Sequence, residues 1–155
     1  MEVDGILIRP FEMADRPLVE AFAAQMGGET RAFFDRNGGN SAAALGFFEG
    51  RDENRHVMRW LAIADGMMVG YVFLWDLDRT IPWLGICVAE NFKGRHLGRM
   101  LMKTAEDHAR SCGMGGILLT THLANIRGQG LYERCGYERM GIHESGEILY
   151  LLRFR

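Results

Sequence analysis

Val88-Ala89-Glu90-Asn91-Phe92-Lys93-Gly94-Arg95-His96-Leu97-Gly98 joins two stretches of different period. Before it lies an apolar, β-rich run, Ile81 to Ala89. After it Leu101, Ala105, His108 and Cys112 share one helical face, and Gly113 provides a natural helix stop. A glycine-bearing turn that empties into a helix start is a ready anion site. The first N–H groups of a helix lack partners, and its dipole adds about half a positive charge. Lys93, Arg95 and Arg99 add full charges, and residues 91–110 hold five Lys/Arg against two Asp/Glu in a chain of net charge −2. That local excess suits a diphosphate. The turn is not a P-loop, because GxxxxGK[ST] is absent, and no GxGxxG dinucleotide fingerprint occurs.

Working outward, Ile117 to Thr121 reads as a strand reached through the helix, so strand–helix–strand over residues 81–121 is a parallel, right-handed crossover. Upstream, Val57 to Ala64 and Met67 to Leu74 are β-rich and joined by Asp65-Gly66, a hairpin dipeptide. Gly5 to Pro10 reads as a first strand, and Asp15 can cap a helix carrying Leu18, Val19, Phe22 and Ala23 to Gly27-Gly28. Two helical pieces, Glu29 to Arg36 and Ser41 to Phe48, fill the region before residue 55. Downstream come a short helix, Arg127 to Cys135, and strands Gly136 to Met140 and Ile148 to Phe154 around a Gly141 to Gly146 loop. The class is α/β (α+β) in one domain spanning residues 1–155, with order β-α-α-β-β-β-α-β-α-β-β.

Composition narrows the function. The 155 residues are 48% hydrophobic and 25% charged, which describes an ordinary globular chain. A net charge of −2 and a pI near 6.2 fit poorly with a phosphate-coated polymer, so no nucleic-acid partner is expected. The longest apolar runs are about half the ~20 residues a membrane-spanning helix needs. The acidic opening Met1 to Gly5 has no basic-then-apolar leader. Cys87, Cys112 and Cys135 are widely spaced and read as small buried hydrophobes in a reducing, cytoplasmic setting. The 10 methionines read as core filling. No His, Cys or carboxylate spacing fits a metal; His143-Glu144-Ser145-Gly146-Glu147 misses HExxH at its last residue.

The turn and its downstream half resemble the GNAT superfamily of acetyl-CoA-dependent N-acetyltransferases. The family's phosphate turn runs Gln/Arg-x-x-Gly-x-Gly/Ala, and Lys93-Gly94-Arg95-His96-Leu97-Gly98 lies on it, with Lys93 in the Gln/Arg place and His96 in the place of the middle glycine. A side chain at His96 fits if it points to solvent, and it would clash if that residue needed φ > 0. Downstream, Asn125 stands seven residues before Tyr132 in Leu131-Tyr132-Glu133-Arg134-Cys135-Gly136-Tyr137, similar to the family's "LYE(R/K)xGF" ending with Tyr137 in place of Phe. Ile8-Arg9-Pro10 with Ala14-Asp15 also resembles the family's start.

The resemblance implies a splay between two central parallel strands that leaves the edge of Ile86-Cys87-Val88 open to pair with a pantetheine arm, with Gly85 allowing close approach. It implies acetyl-CoA as co-substrate, held by Ile86, Cys87, Val88, residues Lys93 to Arg99 and Asn125. A backbone N–H near Cys87 would polarise the thioester carbonyl. Tyr132 would be the general acid for the departing thiolate. For the base, the strand from Trp83 to Val88 carries no carboxylate; His122 is the first candidate, with Asp76, Asp78 and Glu90 as rivals. The acceptor is expected to be an amine of a small molecule or peptide. Phe33, Phe34, Phe47, Phe48, Trp75 and Trp83 offer a partly apolar wall, and Glu49, Asp52, Glu53, Asp76 and Asp78 could attract a cation. A non-catalytic acyl-CoA-binding or sensing module, or a ligand-free scaffold, shares much of this pattern. The last strands could support a homodimer.

Overall fold

Two Asp-Gly dipeptides shape the first half of the sheet. Asp65 (φ 52°) and Gly66 (φ 75°) both take positive φ, and so do Asp4 (φ 55°) and Gly5 (φ 78°). Paired positive φ values match the twist that a two-residue hairpin turn needs. In the computed structural model, which describes residues 2–26, 44–50, 56–94 and 96–154, each dipeptide closes an antiparallel hairpin. Asp4-Gly5 joins β1 (Glu2–Val3) to β2 (Ile6–Pro10), and Asp65-Gly66 joins β3 (Met58–Ala64) to β4 (Met67–Trp75). The short β1 is an addition to the expected order.

After β4 come β5 (Trp83–Val88), α2 (Leu97–Ser111), β6 (Gly116–Thr121), α3 (Ile126–Arg134), β7 (Glu138–Ile142) and β8 (Ile148–Arg153); α1 (Arg16–Ala24) follows β2. The strands form one sheet in the order β1-β2-β3-β4-β5-β6-β8-β7. Only the β5–β6 neighbours are parallel, as the crossover through α2 requires. The last hairpin folds back so that β8, not β7, pairs with β6. This brings the turn between β7 and β8 beside the middle of the sheet.

Side chains divide by sheet face. Alternate residues of β4 and β5, among them Val72, Leu74 and Leu84, pack under α2, whose Leu97, Leu101, Met102, Ala105 and Ala109 have no exposed surface. The opposite face carries Tyr71, Phe73 and Cys87 beneath Val19 and Phe22 of α1. A register shift between Ala62 and Ile63 leaves Val69 as a bulge on β4, and its carbonyl accepts from Ala89 N–H at 2.9 Å. The bulge thereby fastens the chain where it leaves β5.

Several expectations change. Asp15 precedes α1 but makes no side-chain cap bond; Arg9 holds its carboxylate in a bidentate pair, 2.8 and 2.7 Å. Arg9 holds Asp15 below the usual carboxylate range, against the cost of burial. Of the cysteines, Cys87 is buried, Cys135 half-buried and Cys112 exposed, so the reading as buried hydrophobes holds for one. Met68 and Met102 are core, whereas Met13, Met67 and Met140 are exposed. Residues 46–49 form a 3₁₀ turn rather than the end of an α-helix. The expected helix Glu29 to Arg36 lies outside the described residues. Among the described residues no helix is long and apolar enough to cross a membrane.

Candidate active site

β5 and β6 begin side by side and then part. Gly115 N–H donates to Thr80 O at 2.8 Å and Leu118 N–H to Pro82 O at 2.9 Å, and the register pairs Trp83 with Leu118. Past that pair β5 stays in register with β4, and β6 with β8, so their facing edges separate. This is the expected splay. It opens a cavity of about 870 Å³ whose wall includes Ile86, Cys87 and Val88 of β5.

At the C-terminal end of β5 the chain makes a 3₁₀ turn, Glu90–Phe92, and enters α2 through Gly94 (φ 78°) and His96 (φ 64°). Lys93, Gly94, His96, Gly98 and Arg99 line the cavity there; Leu97 turns its side chain wholly into the α2 core, and Arg95 lies outside the described residues. His96 takes the positive φ at which a clash was expected, but its side chain is exposed, so the chain keeps the backbone path usual for glycine while carrying an imidazole. Gly98 has a packing reason: a Cβ would stand 3.0 Å from Leu131 Cδ2 of α3. Two further cations reach the same wall, Arg127 and Arg134. They lie seven residues apart, on one face of α3 with Leu131. That spacing was the available signal for them.

Tyr132 forms the inner wall, only 7% exposed, its ring 5.8 Å from that of Tyr150 and 6.3 Å from that of Tyr137. Burial pushes its phenol well above the ordinary value; the nearby Cys87 thiol acts in the same direction, and the Thr121 hydroxyl opposes them. The phenol therefore keeps its proton throughout the neutral range. Asn125 caps α3: its Oδ1 accepts from Gly128 N–H at 3.1 Å and its Nδ2 donates to Thr121 Oγ1 at 3.1 Å. A Cβ on Gly128 would lie 2.5 Å from that Nδ2, so the amide can fold over the helix start only above a glycine.

His122 lines the cavity, and its Nδ1 accepts from Ala124 N–H at 2.9 Å. In the neutral ring the proton then sits on Nε2, and taking up another at Nδ1 would break the turn's bond. Asp76, Asp78 and Glu90 are not on the wall, and Glu90 pairs with Lys93 at 2.9 Å. The wall also holds Glu147, which no spacing in the sequence singles out as a cavity residue. It is 5% exposed, on the turn between β7 and β8, with His143 and Ser145 beside it on the same wall. His143 N–H donates to Glu147 O at 2.7 Å, and Glu147 N–H to Ser145 Oγ at 3.3 Å. Its polar spacing was visible in the sequence, but only as a failed metal motif.

Aromatic rings approach this turn in a row. Tyr71, Phe73, Trp75 and Trp83 stack at 5.0, 5.3 and 6.2 Å between centroids, and His143 meets Trp83 edge-on at 5.7 Å. Trp75 and Trp83 line the cavity as expected. Phe47 and Phe48 instead pack on Phe11 in the core under α1, and Phe33, Phe34, Asp52 and Glu53 lie outside the described residues. Gly85 lines the cavity too, and it has a packing reason besides. The Phe73 ring occupies its missing side chain's place, with Cζ only 2.3 Å from where a Cβ would be. Among the described residues, no group of three His, Cys, Asp or Glu is placed to hold a metal ion.

Residues 18–137, from α1 to the start of β7, match the Acetyltransferase (GNAT) family. The chain belongs to that family. Its members use acetyl-CoA, and this chain is an acetyl-CoA-dependent acetyltransferase of the GNAT type. The streptothricin acetyltransferase of Streptomyces lavendulae is 30% identical over 147 residues, covering 92% of this chain and 68% of that protein. The GNAT domain of S. lividans PAT superposes with a TM-score of 0.82 at 16% identity, covering 95% of this chain and 89% of that one. The PaiA N-acetyltransferase from Thermoplasma acidophilum, solved in complex with coenzyme A, gives 0.75 at 18% identity over 96% and 99%. At such identities the two structures speak for the GNAT architecture alone.

Proposed function

We propose that this GNAT acetyltransferase transfers the acetyl group to a primary amine of a small molecule or peptide by direct attack, with Tyr132 as general acid. One observation carries the reading: the buried Tyr132 of α3 lines the cavity that opens at the splay, whose wall also carries Cys87 of β5. Acetyl-CoA, when bound, supplies the activated acyl group as a thioester. The cavity fits such a donor. Backbone groups at the left-handed Gly94 and His96 and the first turn of α2 suit a diphosphate, with Lys93, Arg99, Arg127 and Arg134 supplying positive charge. The open edge from Ile86 to Val88 suits a pantetheine arm lying as a further strand, and a main-chain N–H near Cys87 suits the acyl oxygen. Asn125 on α3 would hydrogen-bond the same arm, its amide nitrogen carrying a second N–H beyond the one given to Thr121.

The Tyr132 phenol would give its proton to the sulfur as the C–S bond breaks, and His122 on the same wall would take, directly or through water, the proton that the amine nitrogen sheds as it bonds to the acyl carbon. A phenol at or above its usual pKa of about 10 donates uphill to a thiolate of about 8.5, so the transfer belongs with C–S cleavage rather than before it. The streptothricin acetyltransferase relative supports testing small-molecule amines first. The test has two arms. Coenzyme A at about 100 times its Kd should stabilise the fold by about 2.7 kcal/mol, read as a thermal shift. Tyr132→Phe should lower kcat by about 10²-fold at nearly unchanged coenzyme A affinity. Unaltered turnover in the variant removes the acid role, and binding without turnover on any amine leaves a sensing module.

A further inference from the structure

The stretch His143-Glu144-Ser145-Gly146-Glu147, which fails as a metal motif, closes on itself as a serine–histidine pair. Both side chains are half-buried on the cavity wall. His143 Nδ1 and Ser145 Oγ stand 3.0 Å apart, and main-chain donors settle which of them gives the hydrogen. Ser145 N–H donates to the same Nδ1 at 3.1 Å, so that nitrogen carries a lone pair; Glu147 N–H donates to Oγ at 3.3 Å. The hydroxyl therefore donates to Nδ1 and keeps one lone pair uncommitted. The imidazole is itself held, by the Ser145 N–H and by its edge-on contact with Trp83, 5.7 Å between centroids. A hydroxyl bonded to an oriented base is the arrangement of an activated nucleophile.

The register carries this pair to the level of the reacting centre. Trp83 of β5 pairs with Leu118 of β6, and Thr121 of β6 pairs with Ile148 of β8, so Glu147 lies level with Cys87 across the splay. Ser145 Oγ is bonded to the main chain of Glu147, and Tyr132 lies within electrostatic reach of Cys87 and Glu147 alike. We infer that Ser145 is a second acyl acceptor with His143 as its base: given acetyl-CoA and no amine, the enzyme acetylates its own serine and slowly releases acetate. This rests on the cofactor placement proposed above, with the acyl group beside Cys87. Ser145 Oγ bonds to the acyl carbon as the C–S bond breaks. His143 Nδ1 takes the hydroxyl proton, and Tyr132 gives its proton to the departing sulfur. The proton on His143 returns to Tyr132 through water, which leaves free coenzyme A and an acetyl ester on Ser145. Water then attacks the ester carbonyl. His143 takes a proton from that water and hands it to Ser145 Oγ as the C–O bond breaks, and acetate leaves with its proton lost to solvent. An unprotonated amine is the better nucleophile, so the ester path shows itself when the acceptor is missing.

The test incubates the whole protein with acetyl-CoA and no amine, quenches in acid and maps the peptides by mass. The wild type should carry an acetyl group on Ser145 that hydroxylamine removes, as it removes an ester but not an amide on lysine. His143→Gln should slow formation of that ester by about 10²-fold. Ser145→Ala should form none, and should release coenzyme A thiol at least about tenfold more slowly than the wild type. An unmodified Ser145 in the wild type overturns the inference. So does an ester that forms as fast in His143→Gln, or thiol release that survives Ser145→Ala. The wild-type map alone decides if a variant does not fold. Coenzyme A-induced thermal shift is followed in parallel. Its absence from the wild type would sink the cofactor placement, whereas a shift with Ser145 left unmodified would sink only the role of the serine.

Discussion

β5 has a closed side and an open side. Towards β4 it is in register along its whole length, from Trp83–Trp75 to Val88–Gly70; towards β6 it is joined at Trp83 alone. On the closed side the backbone is satisfied by its neighbour and side chains settle the energetics. On the open side the backbone is what remains to offer a ligand, and side chains tune charge and proton supply. The two sides should therefore fail differently when mutated. Closed-side changes should cost stability and spare chemistry per folded molecule; open-side changes should do the reverse.

The largest stability loss is expected above the closed side. Leu101 of α2 is fully buried, its Cδ1 only 2.9 Å from where a Cβ on Gly70 of β4 would stand. Leu101→Ala should cost about 2–5 kcal/mol by urea denaturation. Coenzyme A affinity, measured on the folded fraction, should change little. A smaller loss tests the strand that both sides share. Gly85→Ala drives a methyl into the Phe73 ring, and overpacking of this kind costs about 1–3 kcal/mol. Gly85→Ala with Phe73→Leu should recover part of that loss in the same assay. If Gly85→Ala leaves stability intact and instead abolishes coenzyme A binding, then Gly85 serves the open side after all.

The closed side was the more legible in sequence. β3 and β4 are legible as β-rich apolar runs on either side of Asp65-Gly66, and α2 from the helical face running from Leu101 to Cys112. The same dipeptide at Asp4-Gly5 is not legible as a hairpin, because β1 contributes two residues, too few to read as a strand. The open side was legible only where motif residues are contiguous, from Lys93 to Gly98 and from Asn125 to Tyr132; the splay itself came from the resemblance, since no local pattern says that two strands will diverge. Glu147 was hidden for a topological reason. It reaches the cavity because β8 inserts between β6 and β7, a pairing that no periodicity encodes. At Gly85, which lines the cavity, the packing role is hidden for a related reason, because what fills its missing side chain is a cross-strand neighbour twelve residues away.

Acid should act on the closed half, without touching the splay. Arg9 ties β2 to the turn before α1 through Asp15, whose carboxyl is held below its usual range first by the hydrogen bond from Arg9. A carboxylate with a depressed folded pKa contributes stability above its unfolded value of about 3.9 and loses it as pH falls through the folded value. Stability of the wild type should thus fall below about pH 4, and Asp15→Asn should flatten that part of the profile while lowering the plateau above it. An unchanged acid slope in Asp15→Asn would show that other carboxylates govern the acid limb.

The smallest effect is expected at His96, where the two sides meet at the start of α2. Its φ of 64° is a left-handed backbone that costs an L-residue roughly 1–2 kcal/mol, although histidine enters this region more readily than most. His96→Gly removes that strain but returns roughly 0.5–1 kcal/mol through the greater freedom of glycine in the unfolded chain. The second term offsets much of the first, so the unfolding free energy from urea denaturation should change by about 0–1.5 kcal/mol, towards stability. His96→Val has no such compensation, because a β-branched residue fits this φ worst, and it should destabilise by about 1–2 kcal/mol. If the turn works through its main chain, coenzyme A should shift the melting of His96→Gly by as much as that of the wild type. A lost shift in His96→Gly would mean that the imidazole itself meets the ligand, and the phosphate turn would then owe its affinity to a side chain rather than to the backbone path usual for glycine there.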